Sequence, residues 1–431
     1  MGRWRACPRG RKPALALGQL LQTLLFHFLL PTGTLAEHLR QLTGRRMAES
    51  TLSERRSALS WPVFVQWLRQ ALRPLAQVQA QPQAFWRGWR LLAWDGSQFS
   101  LTNTPQILAH LHKAAARRKR AAWAKLTAVV LLELGLHNPL AVAVGWQGES
   151  EYALTRSLLP SLPAGALLLA DRLSGVPALL AELWDVCQTV GSHFLVRARK
   201  DLQVQKRRRL SDGSALIWVA VCDPQRRKKI LRTLPLREIC VRVSRPGTRP
   251  QVLRLWTSLL DPPHAPALEL AGLYTQRWEQ ELYWRQMKLE LRKTDVLQSH
   301  TPQTAAQEVM MLVLATALLA QERTRAAAGQ MPVLDISFLK CLELLRPLWF
   351  LLALARDLLN AEAKQQLCNA VYREIRLALK PKRRTRSCAR AVRQPVTAWP
   401  RLLKPKYASG PWSYQIATKR WKRASRIAER H

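Results

Sequence analysis

Apolar residues recur at helical spacing over roughly residues 14–90, which predicts a run of helices there. Within it, GTLAEHLRQLTGRRMAESTLSERRSAL (33–59) divides into a helix, a turn at Thr43–Gly44 and a second, arginine-rich helix opening near Ser50. From about residue 90 the texture changes to apolar runs of strand length, at 91–95, 126–134, 140–146, 166–171 and 193–199, with helical stretches at about 152–159 and 176–189. Strands interleaved with helices predict a mixed α/β sheet with buried strands. Residues 200–256 break the alternation. There, a cationic KRRR (206–209) and a turn at Asp212–Gly213 precede ALIWVAV, REICVRVS and QVLRLW, which read as a small antiparallel insertion. From Ala265 the pattern is helical again to about 380, and Pro395, Pro400, Pro405 and Pro411 then interrupt a basic tail. The expected divisions are thus a helical N-terminal region (1–90), a mixed α/β domain (91–300) with its insertion at about 200–256, a C-terminal helical region (301–380) and the tail (381–431).

The apolar segments raise the question of membranes. The N-terminus pairs a basic start with an apolar stretch, as a signal peptide does. Gln19, Gln22, Thr23 and His27 recur along one side of it, however, which describes an amphipathic helix. Runs such as VMMLVLATALLA (309–320) fall short of the roughly 20 residues of a span and read as buried core helices. No membrane partner is therefore expected.

Charge changes the picture more. Sixty-eight Lys and Arg against 28 Asp and Glu give a net charge of +40. Such an excess favours a polyanion, because each neutralised phosphate releases condensed counterions. With nucleic acid in view, 33–59 reads either as a helix-turn-helix whose second helix is free to enter a groove or as two helices of a bundle. The run HKAAARRKRAAWAK (112–125) reads as a loop tracking a DNA backbone, or as a merely solvated one. The seven cysteines are scattered without a C-x-x-C pair, which argues against a disulfide framework or structural zinc and fits a reducing cytosol. His110, His112 and His137 cluster too loosely to be given a role.

The candidate chemistry starts in YTQRWEQELYWRQMK (274–288). At about 100° per residue, Tyr274, Arg277, Glu281 and Lys288 share a stripe about 60° wide, while Glu279 falls roughly opposite. Trp278, Leu282 and Leu289 form the expected packing seam. By itself the stripe describes an ion-paired surface face. Two further acids shift the balance: Asp95 closes the apolar run of LLAWDGSQFSL, and Asp171 closes that of GALLLADRLSG. An acid at the carboxyl end of a buried strand faces the crevice where open α/β sheets bind ligands, and needs a partner such as a metal there. Each alone reads as a turn former or helix cap; together with Glu281 they read as a site. Three carboxylates without Cys or His suit Mg²⁺ or Mn²⁺. Two such ions about 4 Å apart serve in-line phosphoryl displacement. The expectation is a metal-dependent nuclease or strand-transfer enzyme with a ribonuclease H-like core, its three carboxylates converging on shared metals.

The pattern Asp95-Gly-Ser, Asp171-Arg and Tyr274-x2-Arg277-x3-Glu281-x6-Lys288 resembles the DDE transposases of the insertion sequence 4 type, as do RWEQELYWRQMK and WTSLLDP (256–262). Leu173 stands where that family often has Gly. The resemblance covers about 91–300 well and the flanks loosely. It implies cut-and-paste transposition of a bacterial mobile element. Asp95, Asp171 and Glu281 would bind two metal ions, while Tyr274, Arg277, Lys288 and, plausibly on charge, Arg172 would hold phosphate. The partners implied are double-stranded DNA, as terminal inverted repeats and as target, and a second copy in a homodimer that synapses two ends. Cleavage frees 3′ hydroxyls that attack target DNA, and the donor break passes through a hairpin in part of the family. Trp218 or Trp256 would then stack a displaced base, core packing being the plainer reading for each. A transposase-derived DNA-binding protein without catalysis and a basic RNA-binding protein are the alternatives. The expected location is the cytoplasm.

Overall fold

The computed structural model describes residues 15–30, 32–115, 120–199, 204–223, 229–243, 251–292 and 294–381. One compact unit takes in 1–245 and 249–384; the other, 246–248 and 385–431, lies outside the described residues with nearly all of the expected tail.

Four helices open the chain: α1 (Leu17–Leu29), α2 (Leu35–Thr43), α3 (Glu49–Ser57) and α4 (Trp61–Ala71). Thr34 caps α2 by accepting the Glu37 N–H, and Gly44 ends it in the left-handed region at φ 71°. Helix does not continue to residue 90 as the sequence suggested. Pro74 forbids it, and the freed N–H groups of Leu75 and Ala76 donate to the buried Glu133 at 2.9 and 3.1 Å. The same carboxylate pairs with Arg90 and accepts from Asn138, so it clasps this segment to the sheet.

The chain then builds β1 (Phe85–Trp86), β2 (Trp89–Leu101), α5 (Pro105–His110), β3 (Lys113–Ala115), β4 (Arg120–Glu133), β5 (Asn138–Val144), α6 (Glu151–Ser157), β6 (Ala166–Ala170), α7 (Pro177–Val190) and β7 (His193–Arg197). The expected insertion follows as β8 (Lys206–Arg209), β9 (Ala215–Cys222), β10 (Ile230–Val243) and β11 (Gln251–Thr257), all antiparallel. After it come α8 (Ala267–Leu273), α9 (Trp278–Gln286), β12 (Val296–Leu297), α10 (Pro302–Ala327), α11 (Phe338–Leu354) and α12 (Ala361–Leu377). The class is mixed α/β with one large mixed sheet. Its path among the described residues is β3-β4-β2-β6-β7-β11-β10-β9-β8, with β1 and β12 also on β2 and β5 on β4. The insertion is therefore no separate module, because β11 pairs with β7 and extends the sheet.

Strand alternation divides the core. On β2, Leu91 and Ala93 face one apolar cluster with α1, α9, α10 and α11, whereas Leu92 and Trp94 face another with α6 and α7. On β6 Leu167 and Leu169 take the first face, and Leu168 and Ala170 the second. Such strands are apolar throughout because both faces are covered. The 26-residue α10 is apolar nearly all round and mostly buried. Thr301 caps it and Pro302 opens it. By length and composition it meets the requirement for crossing a membrane, longer than the run 309–320 suggested, yet most of it is enclosed by the fold.

A candidate acidic site at the end of a parallel strand pair

β2 does not end at Asp95. It runs six residues further, because Gly96–Leu101 stay paired with Val129–Ala124 of β4. On its other side the parallel partner β6 gives out: the register runs Arg90↔Ala166 to Ala93↔Leu169, and β6 ends at Ala170. Continued by two residues, that register sets Asp95 beside Asp171. By parity, Asp95 follows Leu91 and Ala93 to the face that carries α9. Asp171 bends into a turn in which Leu173 N–H donates to Asp171 Oδ1 at 2.9 Å, so Leu173 accommodates the turn that a glycine often makes in the family.

Residues 274–291 approach from above this edge as three kinds of helix: a 3₁₀ turn at Tyr274–Arg277, α9, and a π turn at Met287–Leu291. A uniform 100° step therefore misplaces the packing seam. Trp278 and Leu289 are exposed and Leu282 is half-buried, whereas Gln280, Tyr283, Trp284, Met287 and Leu291 are buried. Glu279 turns away from the acids and accepts the Gly135 N–H at 2.7 Å.

The four residues of the stripe all meet the two acid-bearing strands. Tyr274 Oη donates to the Ala170 carbonyl at 3.1 Å. Lys288 Nζ donates to Ser97 Oγ at 2.7 Å and to the Gln98 carbonyl at 2.8 Å, over the Phe99 ring. Arg277 lies between two carboxylates, its Nη2 3.1 Å from Glu281 Oε1 and its Nη1 3.6 Å from Asp95 Oδ2. Arg172 is exposed. The acids do not close up as the sequence suggested. Among the described residues no three Asp, Glu, His or Cys side chains stand close enough to grip one metal ion. The reason is local: the Arg277 guanidinium fills the space between Asp95 and Glu281.

The electrostatics are those of a strained acidic pocket. Burial, then the nearby Asp171 charge, raises the Asp95 carboxyl to about 6, against the pull of Arg277 and the Gly96 N–H. Burial, then Arg292 and Lys125, lowers the Lys288 ammonium to about 8. Burial raises the Tyr274 phenol to about 12.

Two groups here escaped the sequence. Arg197, the last residue of β7, bears electrostatically on Tyr274. Glu151, the first residue of α6, has its carboxyl against Gly96, so near that a Cβ at 96 would lie 2.5 Å from it. In QGESEYAL, Ser150–Glu151 reads only as a helix cap followed by an acidic first turn. Other expectations change as well. Trp256 is wholly buried, with Nε1 donating to Glu238 at 3.1 Å, and offers no stacking face. Arg56 on α3 turns inward, donating to Ser299 Oγ at 3.0 Å and the Thr304 carbonyl at 2.6 Å, and cannot read a groove. Of 112–125, residues 113–115 and 120–125 are strand, and 116–119 lie outside the described residues.

By fold and site this is a mixed α/β protein with a carboxylate-centred crevice at the end of a parallel strand pair. Residues 87–318, over half the chain, match the transposase DDE domain, and the chain belongs to that family. It is similar to the transposase InsG for insertion sequence element IS4 of Escherichia coli (strain K12), 28% identical over 250 residues, which are 58% of this chain and 55% of InsG. The putative transposase InsZ of the same organism is 30% identical over 118 residues, 27% of this chain and 39% of InsZ. The matched segment thus spans about half of InsG and less of InsZ. A piggyBac transposase synaptic complex with hairpin DNA superposes at a TM-score of 0.45 and 10% identity, over 84% of this chain and 76% of that one.

Proposed function

We propose that this protein is a transposase that cuts double-stranded DNA at the terminal inverted repeats of a bacterial insertion sequence and joins the freed 3′ ends to target DNA. In this reading the sheet is a ribonuclease H-like core, residues 91–300 are the catalytic domain, and Asp95, Asp171 and Glu281 are its metal-binding residues. The observation that carries it is the parallel register, which sets Asp95 beside Asp171 with Glu281 one guanidinium away.

The donor set fits hard divalent cations: three carboxylates on the strand end and α9, with no thiol or imidazole among them. Two Mg²⁺ or Mn²⁺ ions would supply charge stabilisation for the attacking and leaving oxygens. The chain's own residues do the rest. Arg277 is held at the acids by opposite charge, and a DNA phosphate is the competing anion that would draw its planar fork away from Glu281. Lys288 and exposed Arg172 flank the same edge and would add cationic contacts to the strand being cut. Tyr274, committed to the Ala170 carbonyl, fixes the 3₁₀ turn against β6 and so sets where Arg277 points. The bacterial cytoplasm is the expected setting, with a homodimer holding two ends.

Purified protein incubated with a duplex bearing the element's end tests this. Nicking at the end in Mg²⁺ that stops with EDTA is expected. Protein that binds the end tightly and never cuts it would instead mark a DNA-binding protein without catalysis.

A further inference from the structure

β6 stops at Ala170 while β2 runs on to Leu101, which leaves a gap in the sheet beside Asp95 and Gly96. Side chains from both faces of the sheet can meet in such a gap. Asp95 and α9 come from one face; α6 packs on the other, through Leu154 and Leu158 beside Trp94 and Leu168. The first residue of α6 points through the gap. An ideal Cβ on residue 96 would lie 2.5 Å from both Glu151 Cδ and Oε1 and 2.8 Å from Cγ, so the missing side chain of Gly96 is the space that the Glu151 carboxyl occupies. Gly96 lies in ordinary strand geometry, outside the positive-φ glycines, so the close approach of Glu151, not backbone conformation, demands glycine here. Gly96 N–H also donates to Asp95 Oδ1 at 2.9 Å, so one peptide unit adjoins both carboxyl groups. Glu151 is half-buried in company that a lone carboxylate avoids: it feels the Asp171 charge, and Asp95 feels it.

We propose that Glu151 is a fourth carboxylate of the metal site, reaching it through the gap at Gly96 from the opposite face of the sheet to Glu281. The proposal rests on the metal-site reading above. It gives Gly96 a reason in the D-G-S motif other than turn chemistry, and it supplies oxygen next to Asp95 and Asp171 on the side away from Arg277.

The test is Mn²⁺ binding by the full-length protein, followed by the electron paramagnetic resonance signal of free Mn²⁺, for wild type, Asp95→Asn, Glu151→Gln and Gly96→Ala. Gln keeps the length of Glu and can accept the Gly96 N–H, and melting curves check that each variant folds. Glu151→Gln should weaken Mn²⁺ binding about tenfold or more. Gly96→Ala, which displaces the Glu151 carboxyl without removing its charge, should do likewise. If Asp95→Asn weakens binding and Glu151→Gln matches wild type, the fourth carboxylate is overturned while the metal site stands. If neither weakens it, both fall.

Discussion

At the residue scale the acidic pocket trades stability for chemistry. The Asp95 carboxyl holds its proton to about pH 6 when folded, against an ordinary value of 3.8. A raised carboxyl pKa means that the charged form destabilises the fold above about pH 6, less so between there and pH 4, and not below. At about 1.4 kcal/mol per pH unit, the charge costs up to about 3 kcal/mol at neutral pH. Asp95→Asn in EDTA should therefore raise the melting temperature at pH 7.5, and the gain should vanish below pH 4. Equal melting of the two proteins at pH 7.5 would contradict this picture of strain, which functional sites often carry.

At the element scale, the helix bearing Glu281 is tied to the insertion. Arg237 on β10 is wholly buried; it pairs with Asp212 and donates to Ser214 Oγ at 2.8 Å and the Ala265 carbonyl at 2.6 Å. Asp212 in turn accepts the Ala267 N–H at 3.0 Å, at the start of α8. Arg237→Ala leaves several of these groups without a partner and should lower unfolding free energy by about 2–4 kcal/mol in denaturant titration. No change would mean that the junction contributes no stability. Elements of this kind mark where the sequence was legible. Apolar runs closing on Asp95 and Asp171 located both acids, since burial on two faces writes itself as unbroken hydrophobicity. The continuation of β2 past Asp95 was not readable, because it depends on β4 still pairing there while β6 does not. Nor was the seam of α9: Trp278 looked like an anchor under a uniform helical step, and the 3₁₀ and π turns shift the phase. Glu151 and Arg56 were hidden for a related reason. Short polar helices read as solvent-facing until the packing of α6 and α10 is known.

At the scale of the whole molecule, the charge of +40 sets how DNA is held. If six to ten phosphates are neutralised, affinity for duplex should fall about 10³–10⁵-fold between 50 and 200 mM salt. Fluorescence anisotropy on a labelled duplex measures this, and a flat response would remove electrostatics as the main source of binding. Charge alone makes a DNA-binding protein; the acids make an enzyme. The measurement that separates these is single-turnover cleavage of an end-bearing duplex in Mg²⁺ by wild type and by Asp95→Ala, Asp171→Ala and Glu281→Ala, each at saturating protein. The acidic site predicts that every variant still binds the duplex and that each loses cleavage by at least about a hundredfold, the range of one essential group. Cleavage at the wild-type rate by any one of the three would contradict it.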